Sequence, residues 1–233
     1  MLEVRSIDAF YGQSHVLYSV SLSVGAGERV AVLGRNGAGK STLLKSIMNA
    51  DPRVEGTIRF DGKTLDGLPS HRRAKLGLAL VPEDRRIFPH ITVEENIAMA
   101  RFATPVGSAK VDVEAVVSRF PMLAPLKARL GSQLSGGQQQ MVAVARGIAA
   151  SPRLILLDEP TEGLAPIIVE QLAEEIRSAF SGNVGLLLCE QNIWFARQCT
   201  DYVHVMDAGQ IVFSGTWCEF DAADKVKSTH LAI

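Results

Sequence analysis

GRNGAGKS, Gly34–Ser41, lies between the apolar run Arg29–Leu33 and a stretch with Leu43, Leu44, Ile47 and Met48 at helical spacing. Strand, glycine-rich turn and helix in that order are the setting in which a GxxxxGKS segment holds phosphate. Gly34, Gly37 and Gly39 let the backbone curl so that its N–H groups, with those of Arg35, Asn36 and Ala38, face phosphate oxygens. Lys40 carries a mobile positive charge to the β- and γ-phosphates. Ser41 offers a hydroxyl to Mg²⁺, and Thr42 continues into the helix, whose N-terminal dipole favours the anion. The segment alone does not separate a kinase, a GTPase and a transport ATPase.

Working outward, short apolar runs recur at Leu78–Val81, Leu154–Leu157, Gly185–Cys189 and Tyr202–Met206. Their length suits strands buried on both faces of a mostly parallel sheet. Helical stretches separate several of them. One starts at Pro166 and places Ile167, Ile168, Leu172, Ile176 and Phe180 on one face. The expected fold is α/β, a P-loop NTPase (RecA-like) core. Tyr18, Val20, Leu22 and Val24 alternate as in a half-buried antiparallel strand, and GTIRFDG (Gly56–Gly62) reads as another strand ending in an Asp-Gly turn. These predict an N-terminal antiparallel β lobe over about 1–30 and 54–66. From about 84 to 150 strands stop, and two helix starts, Thr92 with Glu95 and Ser135 with Gln138, read as capping boxes of an inserted helical lobe. The rest is the α/β core, and the whole chain, 1–233, is one domain in this reading.

Composition bounds the function. Of 233 residues 47% are hydrophobic, enough for a sizeable core, and the formal net charge is −1, without the basic excess of a nucleic-acid binder. The N-terminal MLEVRSIDAFYGQ carries Glu3 and Asp8 and no apolar h-region, so no secretory leader is expected. No apolar run approaches the roughly 20 residues of a membrane span. A soluble protein that reaches a membrane only through a partner is the expectation. Cys189, Cys199 and Cys218 form no CxxC pair, which fits a reduced compartment.

LILLDEP (Leu154–Pro160) ends an apolar run in two carboxylates. Asp158 is placed to bind Mg²⁺ directly or through water, and Glu159 to orient or deprotonate an attacking water. LSGGQQQ (Leu134–Gln140) sets Ser135, Gly136 and Gly137 at a helix start, a second place where backbone N–H groups and a hydroxyl meet phosphate. Ser135 serves equally as a helix cap.

With GRNGAGKST, LSGGQQQ and LILLDEP in that order, the sequence resembles the ABC ATPase family over essentially its whole length. That resemblance implies an ATPase using ATP and Mg²⁺. Two cassettes would pack head to tail, and Ser135, Gly136, Gly137 and Gln138 would contact the ATP of the opposite subunit. It also implies that Tyr11, in AFYGQ, stacks on adenine; a core tyrosine of the β lobe is the other reading. Three positions depart from the common pattern. Glu83, in LVPEDRRIFP, replaces the usual glutamine and stays within reach of Mg²⁺ or the water. Ala165 replaces the usual aspartate. Gln191, in LLLCEQN, replaces the usual histidine and can donate to the γ-phosphate but cannot titrate near neutrality.

VPEDRRIFPHITVEENI, TEGLAPIIVEQ and CEQN resemble the shorter ATPase subunit of branched-chain amino-acid importers. The implied partners are a second, unlike cassette, two membrane permeases and, indirectly, a substrate-binding protein. The implied location is the cytoplasmic face of the membrane. A homodimer stays open. So do an ABC ATPase working off the membrane and an ATP-binding regulatory module with little turnover. A permease helix is expected in the groove near Arg85–Asn96, with Ile87, Phe88, Pro89 and Ile91 as its floor, or else these residues pack the helical lobe.

Overall fold

A computed structural model describes residues 1–105, 107–108, 110–179 and 182–231. In chain order the elements are β1 (Leu2–Tyr11), β2 (Ser14–Val24), β3 (Arg29–Leu33), α1 (Lys40–Met48), β4 (Arg53–Phe60), β5 (Lys63–Thr64), α2 (Ser70–Lys75), β6 (Leu78–Val81), α3 (Val93–Ala98), α4 (Val113–Arg119), α5 (Gly136–Ala149), β7 (Leu154–Asp158), α6 (Pro166–Ala179), β8 (Gly185–Glu190), α7 (Ile193–Cys199), β9 (Tyr202–Asp207), β10 (Gln210–Thr216) and α8 (Trp217–Asp221).

The apolar runs are the strands of one six-stranded sheet, ordered β10-β9-β3-β8-β7-β6. β9, β3, β8, β7 and β6 are parallel, and β10 closes one edge antiparallel to β9. β10 was not expected; a hairpin through Ala208 and Gly209, both at positive φ, turns the chain back. A second sheet, β2-β1-β4-β5, is antiparallel and covers one face of the first. The predicted fold class is the observed one.

β3, β7 and β8 are buried on both sides, against opposite partners. Val30 and Val32 of β3 face the antiparallel sheet and α1 through Leu2, Ile7, Leu43 and Ile47. Ala31 and Leu33 face the helices on the other side, with Met141, Leu172 and Phe195. This explains the unbroken apolar runs. The helices between 84 and 150 have no core of their own. Val93, Ile97, Phe120 and Met141 share one cluster with Ile155 and Leu157 of β7. Both expected capping boxes are present, Thr92 with Glu95 and Ser135 with Gln138.

Two local expectations need correction. Tyr18 does not alternate inward with Val20, Leu22 and Val24: β2 bulges at Ser19 (φ 50°), so Leu17 goes inside and Tyr18 is exposed. An extra residue in one strand of a pair reverses the facing of everything beyond it. On α6 the inward face is Val169, Leu172, Ala173 and Ile176, while Ile167 is exposed; Phe180 lies outside the described residues. The buried set keeps the i, i+3, i+4, i+7 spacing, rotated from the expected one.

Candidate functional site

Gly34–Gly39 form the turn between β3 and α1. Gly34 is needed for space, because a Cβ there would lie 2.5 Å from the Met206 carbonyl oxygen. Gly39 is needed for conformation: it precedes α1 at φ 109° and gives the helix no side-chain cap. The first amides of α1 therefore have no side-chain acceptor competing at the cap, which suits an incoming anion. Ala38 N–H donates to Arg35 O at 3.1 Å, and Ala38 O accepts from Gly209 N–H at 2.9 Å, tying the loop to the β9–β10 hairpin. Thr42 is buried one residue beyond Ser41.

Lys40 is turned inward. Its Nζ donates to Gly34 O (2.7 Å) and Arg35 O (2.9 Å) and lies 3.1 Å from Glu159 Oε1. Those side chains are 2% and 11% exposed. Ser41 Oγ donates to Asp158 Oδ1 at 3.0 Å. The two carboxylates that end β7 thus meet the two functional side chains that begin α1, one pair each.

Burial pushes the Asp158 carboxyl up to about 6, with Glu159 adding to the rise and the Ser41 hydrogen bond and Lys40 opposing it. Burial also raises Glu83, which sits at the end of β6, and Glu162 raises it further by charge and hydrogen bonding, with Glu159 and Asp158 adding to it. Four carboxylates therefore crowd the ends of β6 and β7. Among the described residues no group of three or more His, Cys, Asp or Glu side chains is arranged to hold a metal ion by itself. Hard oxygen donors at Ser41, Asp158 and Glu83 suit a Mg²⁺ ion that brings phosphate oxygens to complete its shell.

Glu159 occupies the left-handed region, φ 43°, held by its N–H bond to Cys189 O at 2.9 Å. Strain of this kind persists where surrounding structure over-determines it. Beside it a pocket of about 300 Å³ is lined by Asn36, Glu159, Thr161, Glu162, Glu190, Gln191 and Asn192. Gln191, at the end of β8, is thus brought to the same cavity as Glu159 and Asn36, whereas Ala165 does not line it.

Ser135, Gly136, Gly137 and Gln138 do not line that pocket. Ser135 Oγ accepts from Gln138 N–H at 3.4 Å, and Gln138 Oε1 accepts from Ser135 N–H at 2.9 Å. Gly136 abuts Arg85 and Gly137 abuts Ile168. Tyr11 ends β1 beside the turn at Gly12 and is 36% exposed, so it is not a core tyrosine. It stands on the β1–β2 pair, whose Leu17 would be 2.8 Å from a Cβ at Gly39.

Of the residues expected to floor the groove near Arg85–Asn96, Phe88 lines a cleft, whereas Ile87, Pro89 and Ile91 do not. That cleft, of about 470 Å³, is lined by Leu78–Val81, Arg86, Phe88, Phe102, Ala143 and Gly147 among others. Ile87 packs against the main cluster instead. Ile91 O accepts from Gly131 N–H, and neither Pro89 nor Ile91 lines the cleft. Phe88 is 45% exposed.

Glu190 escaped the sequence reading. It is buried, and its carboxylate accepts from Thr161 and from the backbone of Gln191 and Asn192. The available signal was a charged residue closing the apolar run Gly185–Cys189.

Residues 17–162 match the ABC transporter family. The chain is 39% identical over 231 residues to the high-affinity branched-chain amino acid transport ATP-binding protein BraG of Pseudomonas aeruginosa, covering 99% of each. It is 30% identical over 235 residues to the lipopolysaccharide export system ATP-binding protein LptB of Haemophilus influenzae, covering 99% of this chain and 97% of that one. A solved ATP-binding subunit of an ABC transporter superposes with a TM-score of 0.80 at 27% identity, covering 100% of this chain and 96% of that one.

Proposed function

The chain belongs to the ABC transporter family of ATPases, and from that premise we propose that it is the ATP-hydrolysing motor subunit of an importer for branched-chain or other amino acids. The observation that carries the hydrolytic site is the paired approach of Lys40 to Glu159 and of Ser41 to Asp158. The likeness to BraG along both whole chains supports the cargo class.

In this reading ATP draws Lys40 Nζ away from Gly34 O, Arg35 O and Glu159 and onto the β- and γ-phosphates. The amides of Gly34–Ser41, including Arg35, Asn36 and Ala38, surround those phosphates, and Tyr11 stacks on adenine. Ser41, Asp158 and Glu83 would hold Mg²⁺, which when bound neutralises phosphate charge. Glu159 accepts a proton from the water whose oxygen attacks the γ-phosphorus; the bond to the bridging oxygen breaks, and ADP leaves. Gln191 donates a hydrogen bond to the γ-phosphate. Ser135–Gln138 reach the ATP of a second cassette, which fits their separation from this chain's own pocket. ATP then favours the closed dimer because it touches both halves, and its hydrolysis removes that preference.

Among the described residues no helix is long and apolar enough to cross a membrane. Transport therefore calls for separate permeases. The cleft beside Phe88 is the proposed seat of a short permease helix, laying its apolar face on Leu78–Val81. The second cassette is proposed to be unlike this one, with a binding protein delivering cargo from the far side.

The test is reconstitution in proteoliposomes with candidate permeases and a second cassette, measuring ATP-dependent leucine uptake and phosphate release. Stimulation by leucine-loaded binding protein is expected. Stimulation by lipopolysaccharide instead, as the likeness to LptB would have it, overturns the importer reading.

A further inference from the structure

Two loops meet at the buried Glu190 carboxylate behind the proposed γ-phosphate site, and the phosphate loop reaches the same residue's backbone. Glu190 Oε1 accepts from Thr161 N–H at 3.1 Å and from Thr161 Oγ1 at 2.7 Å. Its Oε2 accepts from Gln191 N–H and from Asn192 N–H, both at 2.9 Å. Its own carbonyl oxygen accepts from Gly34 N–H at 3.3 Å, the first residue of the phosphate loop. Thr161 sits two residues after Glu159, in a turn where Glu162 N–H returns to Glu159 O at 3.1 Å.

A carboxylate has about four acceptor sites and no donor. Here all four are matched by donors, two from each loop. A side-chain amide offers one acceptor oxygen and an NH₂ group, so Gln at this position would set N–H against N–H on one of the two arms. Unmade bonds to buried donors are costly, and here they would loosen one loop against the other. Asn192 extends the tie, since its Oδ1 caps α7 through Phe195 N–H at 3.0 Å. Burial pushes the Glu190 carboxyl up, while the Thr161, Asn192 and Gln191 hydrogen bonds favour the charged form.

We infer that Glu190 is a positioning residue that holds the loop behind Glu159 and the loop bearing Gln191 at a fixed separation, so that the water-activating and phosphate-contacting groups approach the γ-phosphate as one unit. The inference rests on the proposed roles of Glu159 and Gln191. Glu190 lines the pocket beside Glu159, but its carboxylate oxygens are taken by Thr161, Gln191 and Asn192 rather than offered to nucleotide or water. It acts through Thr161 and Gln191, and ATP binding by Gly34–Thr42 does not depend on its charge.

The experiment measures kcat, KM and equilibrium binding of a fluorescent ATP analogue for Glu190→Gln, Thr161→Val and Gln191→Ala, and for the Glu190→Gln/Gln191→Ala pair, in the intact protein with its partner cassette. For Glu190→Gln a fall in kcat of about 10- to 100-fold is expected, with analogue affinity and KM within about threefold of the parent. Thr161→Val, which removes one hydroxyl donor and keeps the carboxylate charge, is expected to lower kcat by about three- to tenfold. Gln191→Ala removes the phosphate-contacting amide but keeps the backbone N–H that Glu190 holds, so on that background Glu190→Gln is expected to lower kcat further, through the loop behind Glu159, by less than it does in the parent. Should Glu190→Gln fail to fold, Thr161→Val carries the test. Parent-like kcat in Glu190→Gln and Thr161→Val overturns the inference, as does a loss of analogue affinity in proportion to kcat, which marks a merely structural role. Failure of the site reading itself shows separately, as parent-like turnover in Glu159→Gln.

Discussion

Replacing Glu159 by Gln should slow turnover while tightening ATP binding, and both parts follow from one contact. Glu159 Oε1 is 3.1 Å from Lys40 Nζ, with the lysine 2% and the glutamate 11% exposed. ATP has to take that ammonium from the carboxylate. A hydrogen bond to a charged partner is worth about 1.5–3 kcal/mol when buried, and solvent-exposed pairs give about 0–1. For this mostly buried pair about 1–2 kcal/mol is reasonable, and losing it from the free state corresponds to about 5- to 30-fold tighter binding. Losing the general base lowers kcat by about 10²- to 10⁴-fold. Phosphate release at saturating ATP and equilibrium titration with an ATP analogue measure the two terms. Turnover within about threefold of the parent refutes the base assignment. Binding about tenfold weaker refutes the competition argument, since Glu159 would then support the bound state.

Other outcomes follow from single residues. Glu175, buried in α6, has its carboxyl raised to about 7 by burial first and Glu174 second, and its Oε2 and the Gln171 Oε1 lack hydrogen-bond partners. A raised folded-state pKa means the stability contribution is full below about 4.5 and lost as pH rises through about 7. Glu175→Gln should therefore raise the unfolding free energy at pH 8, by at most about 3 kcal/mol, and with it Tm, and change both little at pH 4.5; equal shifts at both pH values in thermal unfolding would refute this. Gly209→Ala sets a Cβ 2.0 Å from Val16 O at φ 78°, so a loss of about 2–4 kcal/mol is expected in denaturant titration. ATP affinity should fall too, since Gly209 N–H holds Ala38 O at 2.9 Å. Phe88→Glu, at a 45% exposed side of the Leu78–Val81 cleft, should leave Tm and basal ATPase nearly unchanged while permease co-purification falls by about tenfold or more; retained co-purification argues against docking there.

Legibility followed physical range. The strands of the parallel sheet were readable because burial on both faces makes β3, β7 and β8 unbroken apolar runs, a pattern that β6 keeps although Ala79 and Leu80 are only partly buried. The capping boxes at Thr92 and Ser135 were readable because both partners lie within one helical turn. Tyr18 was misplaced because the bulge at Ser19 depends on pairing with β1, including the Ser19 N–H bond to Asp8 Oδ1 at 3.3 Å. Of the cleft lining only Phe88 was legible, because Leu78–Val81, Ala143 and Gly147 are distant in sequence and meet only when α5 packs on β6.

Local chemistry written into consecutive residues is what the chain declares by itself: a phosphate loop at Gly34–Ser41, paired carboxylates at Asp158 and Glu159, and a capped, glycine-rich helix start at Ser135. Such motifs are legible because their backbone geometry and donors lie within a few residues. Tertiary structure alone decided which of them face one another. It set Lys40 against Glu159 and Ser41 against Asp158, kept Ser135–Gln138 out of that pocket, and closed Glu190 over Thr161 and Gln191. Those contacts depend on strand order, because the parallel sheet brings the ends of β3, β7 and β8 to one edge although more than 100 residues separate β3 from β7.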